Sequence, residues 1–189
     1  MSTKATTTRK SKTYDIVYIG IFAVLIAICS WISIPTMVPF TLQTFAVFLA
    51  VSVLGGKRGS LAVFVYVLLG AIGVPVFANF TGGFGIILNN TGGYIIGFIF
   101  SALVMWLMEK LLGRKTWVQG LSMILGLFVC YIFGTAWFMF VYTKNTGAIG
   151  LTTVLGWCVI PFLIPDFVKI GLALALGGRL SKVIKIDND

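Results

Sequence analysis

The sequence contains no histidine, and it has only three cysteines and five acidic residues among 189. Without histidine or a Cys-x-x-Cys pair, the chain lacks the ligand sets of typical zinc and haem sites. It also contains no G-x-x-x-x-G-K-[ST] loop, no H-E-x-x-H motif and no clear Ser/Lys or paired-Asp arrangement. We therefore expect no metal site and no cofactor, and we expect the chain not to be an enzyme.

Charged residues of either sign are scarce, since they make up 10% of the chain, whereas hydrophobic residues make up 59%. The mean hydropathy is +1.05. Soluble domains contain about 25% charged and about 45–50% apolar residues. This composition predicts an all-α integral membrane protein with a single domain. We expect its cysteines, Cys29, Cys130 and Cys158, to be small buried hydrophobic residues.

Apolar runs separated by Gly, Pro and basic residues predict the number of helices. A helix needs about 20 apolar residues to cross a bilayer, and two of the runs are shorter. The prediction is a compact bundle of six transmembrane helices, over residues 14–34, 41–54, 60–74, 93–112, 117–142 and 166–180. The membrane domain then covers residues 14–184, between a basic tail at residues 1–13 and a short tail at residues 185–189.

The basic residues support six spans and give the bundle a direction. With the N-terminus in the cytoplasm, 12 of the 14 basic residues lie in the two tails and the cytoplasmic connections, and only Lys144 falls in an outer loop. Cytoplasmic loops are enriched in Lys and Arg. The net charge of +9 is therefore read as a topology signal and not as a nucleic-acid-binding surface. Both termini are expected in the cytoplasm.

Polar and irregular segments collect on the outer side under this topology, at residues 34–43, 77–93 and 143–166. Non-helical backbone is tolerated at membrane depth only where protein or a cavity surrounds it. In residues 77–93, Asn residues can simply occupy turns, but the glycines also let backbone N–H groups approach a ligand. These segments predict a site that opens outward and binds a small polar or amphipathic solute.

Asp166 and Lys169 are candidate functional residues because they lie within an apolar run, where a charge costs free energy of membrane insertion. Residues three apart on a helix share a face, so the two charges can neutralise each other. Pro165 predicts a helix start before Asp166, and one interpretation is therefore a helix cap with a local ion pair. The other interpretation is a ligand site that offers an acceptor and a cation side by side.

Small residues at four-residue spacing let helices approach closely in lipid, and they occur in three predicted helices. They are Ala23 and Ala27 in the first, Gly93 and Gly97 in the fourth, and Ser122, Gly126, Cys130 and Gly134 in the fifth. Both packing within this chain and docking of another membrane protein are consistent with this pattern.

Three longer runs carry a family resemblance: PFTLQTFAVFLAVSVLGGKRGSLAVFVYVLLGAIGVPVFANFTGGFG, NNTGGYIIGF and PFLIPDFVKIGLA. They resemble the BioY biotin transporters, the substrate-binding S components of energy-coupling factor (ECF) transporters, over most of residues 34–176. The resemblance implies a six-helix fold and high-affinity binding of biotin near the outer surface. The binding residues that it implies are Thr41, Gln43, Asn79, Gly82, Gly83, Tyr94, Asp166 and Lys169.

The resemblance also implies partners and a location. Ala23 and Ala27 would dock a transmembrane coupling subunit, two ATPase subunits would supply the energy, and the chain would lie in the cytoplasmic membrane of a prokaryote. Which polar residue contacts which end of biotin stays open. Two other functions remain: an S component for another vitamin, and a membrane assembly subunit that transports nothing.

Overall fold

A computed structural model describes the backbone of residues 3–183 and the side chains of residues 13–182. The chain is predominantly helical, with one two-stranded antiparallel ribbon near the end of the first helix. In chain order the elements are α1 (Thr3–Trp31), β1 (Ser33–Ile34), β2 (Phe40–Thr41), α2 (Gln43–Leu54), α3 (Gly56–Ala71), a 3₁₀ turn (Ala78–Phe80), α4 (Phe84–Leu88), α5 (Gly92–Leu112), α6 (Thr116–Asn145), α7 (Leu151–Cys158) and α8 (Ile160–Val183).

Four segments of the described chain are long and apolar enough to cross a membrane: Thr13–Trp31, Gly92–Leu112, Thr116–Asn145 and Leu151–Lys182. They include the long helices α1, α5, α6 and α8. At 1.5 Å per residue, α2 and α3 are only about 18 and 24 Å long, so the helical part of each is shorter than a hydrocarbon core of about 30 Å.

Helix α2 forms the centre of the bundle. Ten of its twelve residues are buried, and it packs against α1, α3, α5 and α8. A helix that is apolar on all sides has no face suited to water, so burial on every side is its stable position. The sequence places the polar residues of α2 at its start, where Gln43 and Thr44 lie, and at Ser52.

The corner between α2 and α3 consists of one residue, Gly55, whose φ of 83° favours glycine. Side chains from the end of α5 and just beyond it complete this corner. Arg114 Nη2 donates to the carbonyls of Ser52 and Val53 at 2.6 and 2.7 Å, and the Gly56 N–H donates to Glu109 Oε2 at 2.9 Å. A cation thus caps the end of α2 and a carboxylate caps the start of α3, which complements both helix dipoles.

Small residues bring α5 and α6 together. A Cβ atom placed on Gly93, Gly97 or Gly134 would lie within about 3 Å of side-chain atoms of Trp137, Cys130 and Tyr94 respectively. The four-residue spacing in these two helices therefore serves packing within this chain.

The prediction for α1 needs correction. Ala23 and Ala27 are only 2% and 3% exposed, because they face α2 and α3 in the core. They are inaccessible to a partner in this structure. The exposed face of α1 carries larger apolar side chains instead, at Ile21, Val24 and Ile28.

Helix boundaries differ from the prediction in two instructive places. Helix α8 begins at Ile160 and continues through Pro165, so Asp166 does not cap a helix start. Pro165 lies early in α8, where its missing N–H removes only the bond to the Pro161 carbonyl. Helix α1 begins at Thr3, so most of the predicted N-terminal tail is helical, whereas residues 185–189 lie outside the described chain.

The close approach of α2 and α3 gives a test of the fold. A Cβ atom on Gly59 would lie 2.4 Å from the Cα atom of Val51, whereas one on Gly178 would have no neighbour within 4 Å. We expect Gly59→Ala to lower the free energy of unfolding by about 1–3 kcal/mol through overpacking. Gly178→Ala should be neutral or slightly stabilising. Thermal unfolding of both variants in detergent measures the difference, and equal transition temperatures would contradict this packing.

Candidate ligand-binding site

A cavity of about 270 Å³ lies among α2, α5, α6 and α8, and the irregular segments between the helices cover it. These segments are the turn between β1 and β2 and the loop that follows α3. Six of the eight residues expected to bind a ligand line this cavity: Thr41, Gln43, Asn79, Tyr94, Asp166 and Lys169.

The charged pair in α8 is buried in the wall of the cavity. Lys169 Nζ lies 2.7 Å from Asp166 Oδ1, and the two residues are 4% and 2% exposed. The hydroxyl of Tyr131 donates to the other carboxylate oxygen of Asp166 at 2.5 Å, and Lys169 Nζ lies 4.2 Å from the centroid of the Phe40 ring. The carboxylate is therefore held in one orientation, and each of its oxygens keeps a lone pair for a further donor.

The start of α2 contributes an unpaired donor. Thr41 Oγ1 accepts a hydrogen bond from the Gln43 N–H at 3.2 Å, while Gln43 Nε2 is buried without a well-formed hydrogen bond among the described residues. Its neighbour, the Tyr66 hydroxyl, is likewise buried without one. An unsatisfied buried polar group costs about 1–3 kcal/mol. A ligand with an acceptor at this position would remove that cost.

Asn79 lies in a loop that is tied to the end of α1. Its Oδ1 accepts a hydrogen bond from Ser33 Oγ at 2.9 Å, and its φ of 58° is left-handed, a conformation that Asn tolerates well. The next residue, Phe80, stacks on Trp31 with 4.9 Å between ring centroids, and Trp31 Nε1 donates to the Pro75 carbonyl at 2.9 Å. These contacts hold the amide of Asn79 at the cavity.

Gly82 and Gly83 do not line the cavity, contrary to the expectation from the motif. A Cβ atom on Gly82 would lie 2.3 Å from the carbonyl oxygen of Val74, so this glycine permits a close backbone contact. Gly83 has a φ of 102° and donates its N–H to the Gly70 carbonyl at 2.7 Å. Both residues therefore shape the backbone of the loop.

Tyr94, in the first turn of α5, is 7% exposed and lines the cavity. Its hydroxyl lies 3.2 Å from Thr135 Oγ1, and its ring packs where a side chain on Gly134 would otherwise lie. The ring thus forms part of the apolar wall, while its hydroxyl is already satisfied within the chain.

Sequence reasoning missed Tyr131, which is the second hydrogen-bond donor to Asp166. Its signal was a phenol in the middle of a long apolar helix, because a buried tyrosine hydroxyl usually has a partner. It also missed the aromatic pair Phe40 and Phe162, whose ring centroids are 5.7 Å apart. Cys130 and Cys158 are buried as expected, and they also line the cavity.

The cavity therefore combines a few polar groups with apolar walls. It offers a carboxylate as acceptor, an ammonium group as cation and at least one amide donor, surrounded by aromatic and aliphatic side chains. Small-molecule sites are typically built in this way, with polar groups that fix orientation in an otherwise apolar pocket. The arrangement suits a small amphipathic molecule that has both N–H donors and an anionic end.

A sequence model of the BioY family matches residues 1–186 of this chain. The chain belongs to the BioY family. The biotin transporter BioY of Thermotoga maritima is 42% identical over 165 residues, which cover 87% of this chain and 94% of that protein. The probable biotin transporter BioY of Pyrococcus horikoshii is 39% identical over 171 residues, or 89% of this chain and 97% of that protein.

This BioY-family chain is also similar in fold to a solved structure. The match is the crystal structure of the S-component for biotin from an ECF-type ABC transporter. The TM-score is 0.81 at 26% sequence identity, and the alignment covers 92% of this chain and 93% of that chain. The family resemblance that the sequence motifs indicated is therefore confirmed.

The buried ion pair gives a second test. Lys169→Met leaves the Asp166 carboxylate without its cation, and breaking a buried pair in this way typically costs about 3–5 kcal/mol of folding free energy. In the double variant Asp166→Asn, Lys169→Met, no uncompensated charge remains, so we expect part of this loss to be recovered. Unfolding of the single and double variants without ligand measures the coupling. Strictly additive losses would show that the two side chains do not depend on each other.

Proposed function

We propose that this chain binds biotin with high affinity in the cavity around Asp166 and Lys169, as the S component of an ECF transporter for biotin uptake. The buried Asp166–Lys169 pair at an otherwise apolar cavity is the observation that carries the proposal. Relatives named as biotin transporters and the biotin S-component of similar fold support it. The same relatives support a transport subunit over an enzyme.

Biotin has the functional groups that this cavity can accommodate. Its ureido ring carries two N–H donors and a carbonyl acceptor, which suit the Asp166 carboxylate and an amide such as that of Gln43 or Asn79. Its carboxylate suits the Lys169 ammonium group or backbone N–H groups. Its thiophane ring and valeryl chain suit the apolar wall of the cavity, which includes the rings of Phe98 and Phe162.

Titration of the purified protein with biotin tests this proposal. We expect a dissociation constant below micromolar, and weaker binding by roughly 10- to 150-fold in Asp166→Asn, since a hydrogen bond to a charged group contributes about 1.5–3 kcal/mol. Asn79→Gly should also weaken binding while keeping the left-handed backbone. Asp15→Asn, the same chemical change remote from the cavity, should leave the affinity unchanged.

Three results would argue against biotin as the ligand. Unchanged affinity in Asp166→Asn would remove the proposed site, and tighter binding of another vitamin in a competition panel would identify a different substrate. Absence of any ligand, with an inert Asp166–Lys169 pair, would favour a membrane assembly subunit. Comparing the affinities for biotin and biotin methyl ester measures the contribution of the carboxylate, because the ester keeps the ureido ring and removes the anionic end.

We infer that separate subunits energise uptake, namely a transmembrane coupling subunit and two ATPase subunits, with this chain in the cytoplasmic membrane of a prokaryote. The ECF-type transporter named for the similar structure supports the partners, and the Thermotoga and Pyrococcus relatives support the location. The exposed face of α1, at Ile21, Val24 and Ile28, is the part of that helix available for docking. Co-purification of the subunits with this chain checks this inference.

We further propose six membrane-crossing segments with both termini in the cytoplasm. Lys57 and Arg58 lie next to the corner at Gly55, so we place this corner on the cytoplasmic side. Helices α2 and α3 would then each cross together with the non-helical segment at the other end, namely the β-ribbon before α2 and the loop after α3. In intact cells, a membrane-impermeant maleimide should label Lys144→Cys and not Lys57→Cys. The native cysteines are buried, so the unmodified chain provides the background. Labelling of Lys57→Cys from outside would contradict this topology.

A further inference from the structure

A second cavity, which we call the basic groove, lies between α1, the start of α3 and the end of α5. Its volume is about 740 Å³, and it shares no lining residue with the ligand cavity. Six charged residues line it: Asp15, Lys57, Arg58, Glu109, Lys110 and Arg114. The proposed binding of biotin does not involve this groove.

Most of these charges have partners within the chain. Arg58 Nε lies 2.9 Å from Asp15 Oδ1. Glu109 and Arg114 have opposite charges, and both bind backbone groups at the corner between α2 and α3. The four charges therefore sum to zero, and each is held by an identified contact.

Lys57 and Lys110 carry the remaining charge of +2. Both side chains are exposed, and no hydrogen bond or ion pair engages either of them within the described residues. The groove thus presents two unpaired ammonium groups beside four charged side chains whose charges cancel and whose contacts hold them in place. An anion with several acceptor oxygens, such as a phosphate ester, is complementary to this arrangement.

The wall of the groove is apolar, which narrows the class of anion. Ile16, Leu61 and Trp106 line it and are 70%, 50% and 37% exposed. A soluble phosphate would contact the lysines and leave this wall uncovered. A phospholipid can place its phosphate at the lysines and its acyl chains along the wall, because Ile16 and Trp106 belong to segments long and apolar enough to lie in the hydrocarbon of a bilayer. Basic pockets between transmembrane helices on the cytoplasmic side are suited to anionic headgroups for this reason.

We propose that the basic groove binds one anionic phospholipid, with Lys57 and Lys110 at its headgroup and the acyl chains along Ile16, Leu61 and Trp106. The site is independent of the ligand cavity. It would hold the cytoplasmic ends of α1, α3 and α5 against the inner surface of the bilayer.

Lipid retention by the full-length purified protein tests the proposal. The protein is delipidated in neutral detergent, mixed with phosphatidylglycerol or phosphatidylcholine, and examined by native mass spectrometry and thermal unfolding. We expect preferential retention of phosphatidylglycerol and a higher unfolding temperature in its presence. Lys57→Gln, Lys110→Gln should weaken retention by about tenfold or more. The double variant Lys144→Gln, Lys182→Gln removes the same charge at exposed positions outside the groove and should behave like the parent.

Several outcomes would overturn the proposal. Equal retention of the two lipids would show that charge does not select the occupant, and equal loss in both double variants would show a general effect of net charge. Full competition by inorganic phosphate would indicate a soluble anion. Binding of an acidic protein through the same lysines, without lipid preference, would assign the groove to a protein partner. Unchanged biotin titration in every variant confirms that the fold is intact.

Discussion

A carboxylate and an ammonium group 2.7 Å apart lie inside a molecule whose surroundings are mostly hydrocarbon. Either group alone would be costly there, because removing an unpaired ion from water costs several kcal/mol. Asp166 is compensated by Lys169 and by the Tyr131 hydroxyl, and Lys169 also faces the Phe40 ring. The pair thus requires α6, α8 and the β-ribbon to stay in register. These three elements supply part of the cavity wall, including Thr41, Cys130 and Phe162.

The irregular backbone around the cavity obeys the same constraint, since every polar group at this depth needs a partner within the protein. The loop after α3 satisfies it through α1: Ser30 Oγ donates to the Val76 carbonyl at 2.5 Å, and Trp31 donates to Pro75. Within the loop, the Phe77 N–H donates to the Thr81 carbonyl at 2.9 Å. The Gly- and Asn-rich loop is therefore an ordered segment over the cavity, and its hydrogen bonds are made mostly to α1 and within the loop itself. Among the described residues, Gln43 Nε2 at the cavity and Asn90 Oδ1 in the loop remain buried without a hydrogen-bond partner.

Composition and spacing were sufficient to predict a helical membrane protein and the pairing of Asp166 with Lys169, because an i,i+3 relationship survives any helix packing. Composition and spacing did not predict the contacts of a residue where those contacts depend on which neighbouring helix its side chain faces. Ala23 and Ala27 have the spacing of a docking motif, yet only tertiary packing decides that they face α2 and α3. Pro165 is a helix breaker in general, but it is tolerated near the start of α8. The Tyr131 contact joins residues 35 positions apart, so the sequence could indicate that the buried hydroxyl needs a partner but not that the partner is Asp166.

Helix α2 connects the two cavities, because it runs from Gln43 at the ligand cavity to the Gly55 corner beside the basic groove. At its first end, the charges are desolvated and paired, so geometry and hydrogen bonding decide what binds. At its other end, Lys57 and Lys110 are exposed, so an ionic contact with either of them would be weak and sensitive to salt. A helix that is buried on nearly every side cannot tilt without disturbing α1, α3, α5 and α8 together. The same twelve residues, a helix about 18 Å long, therefore help to fix the ligand cavity and the basic groove relative to each other.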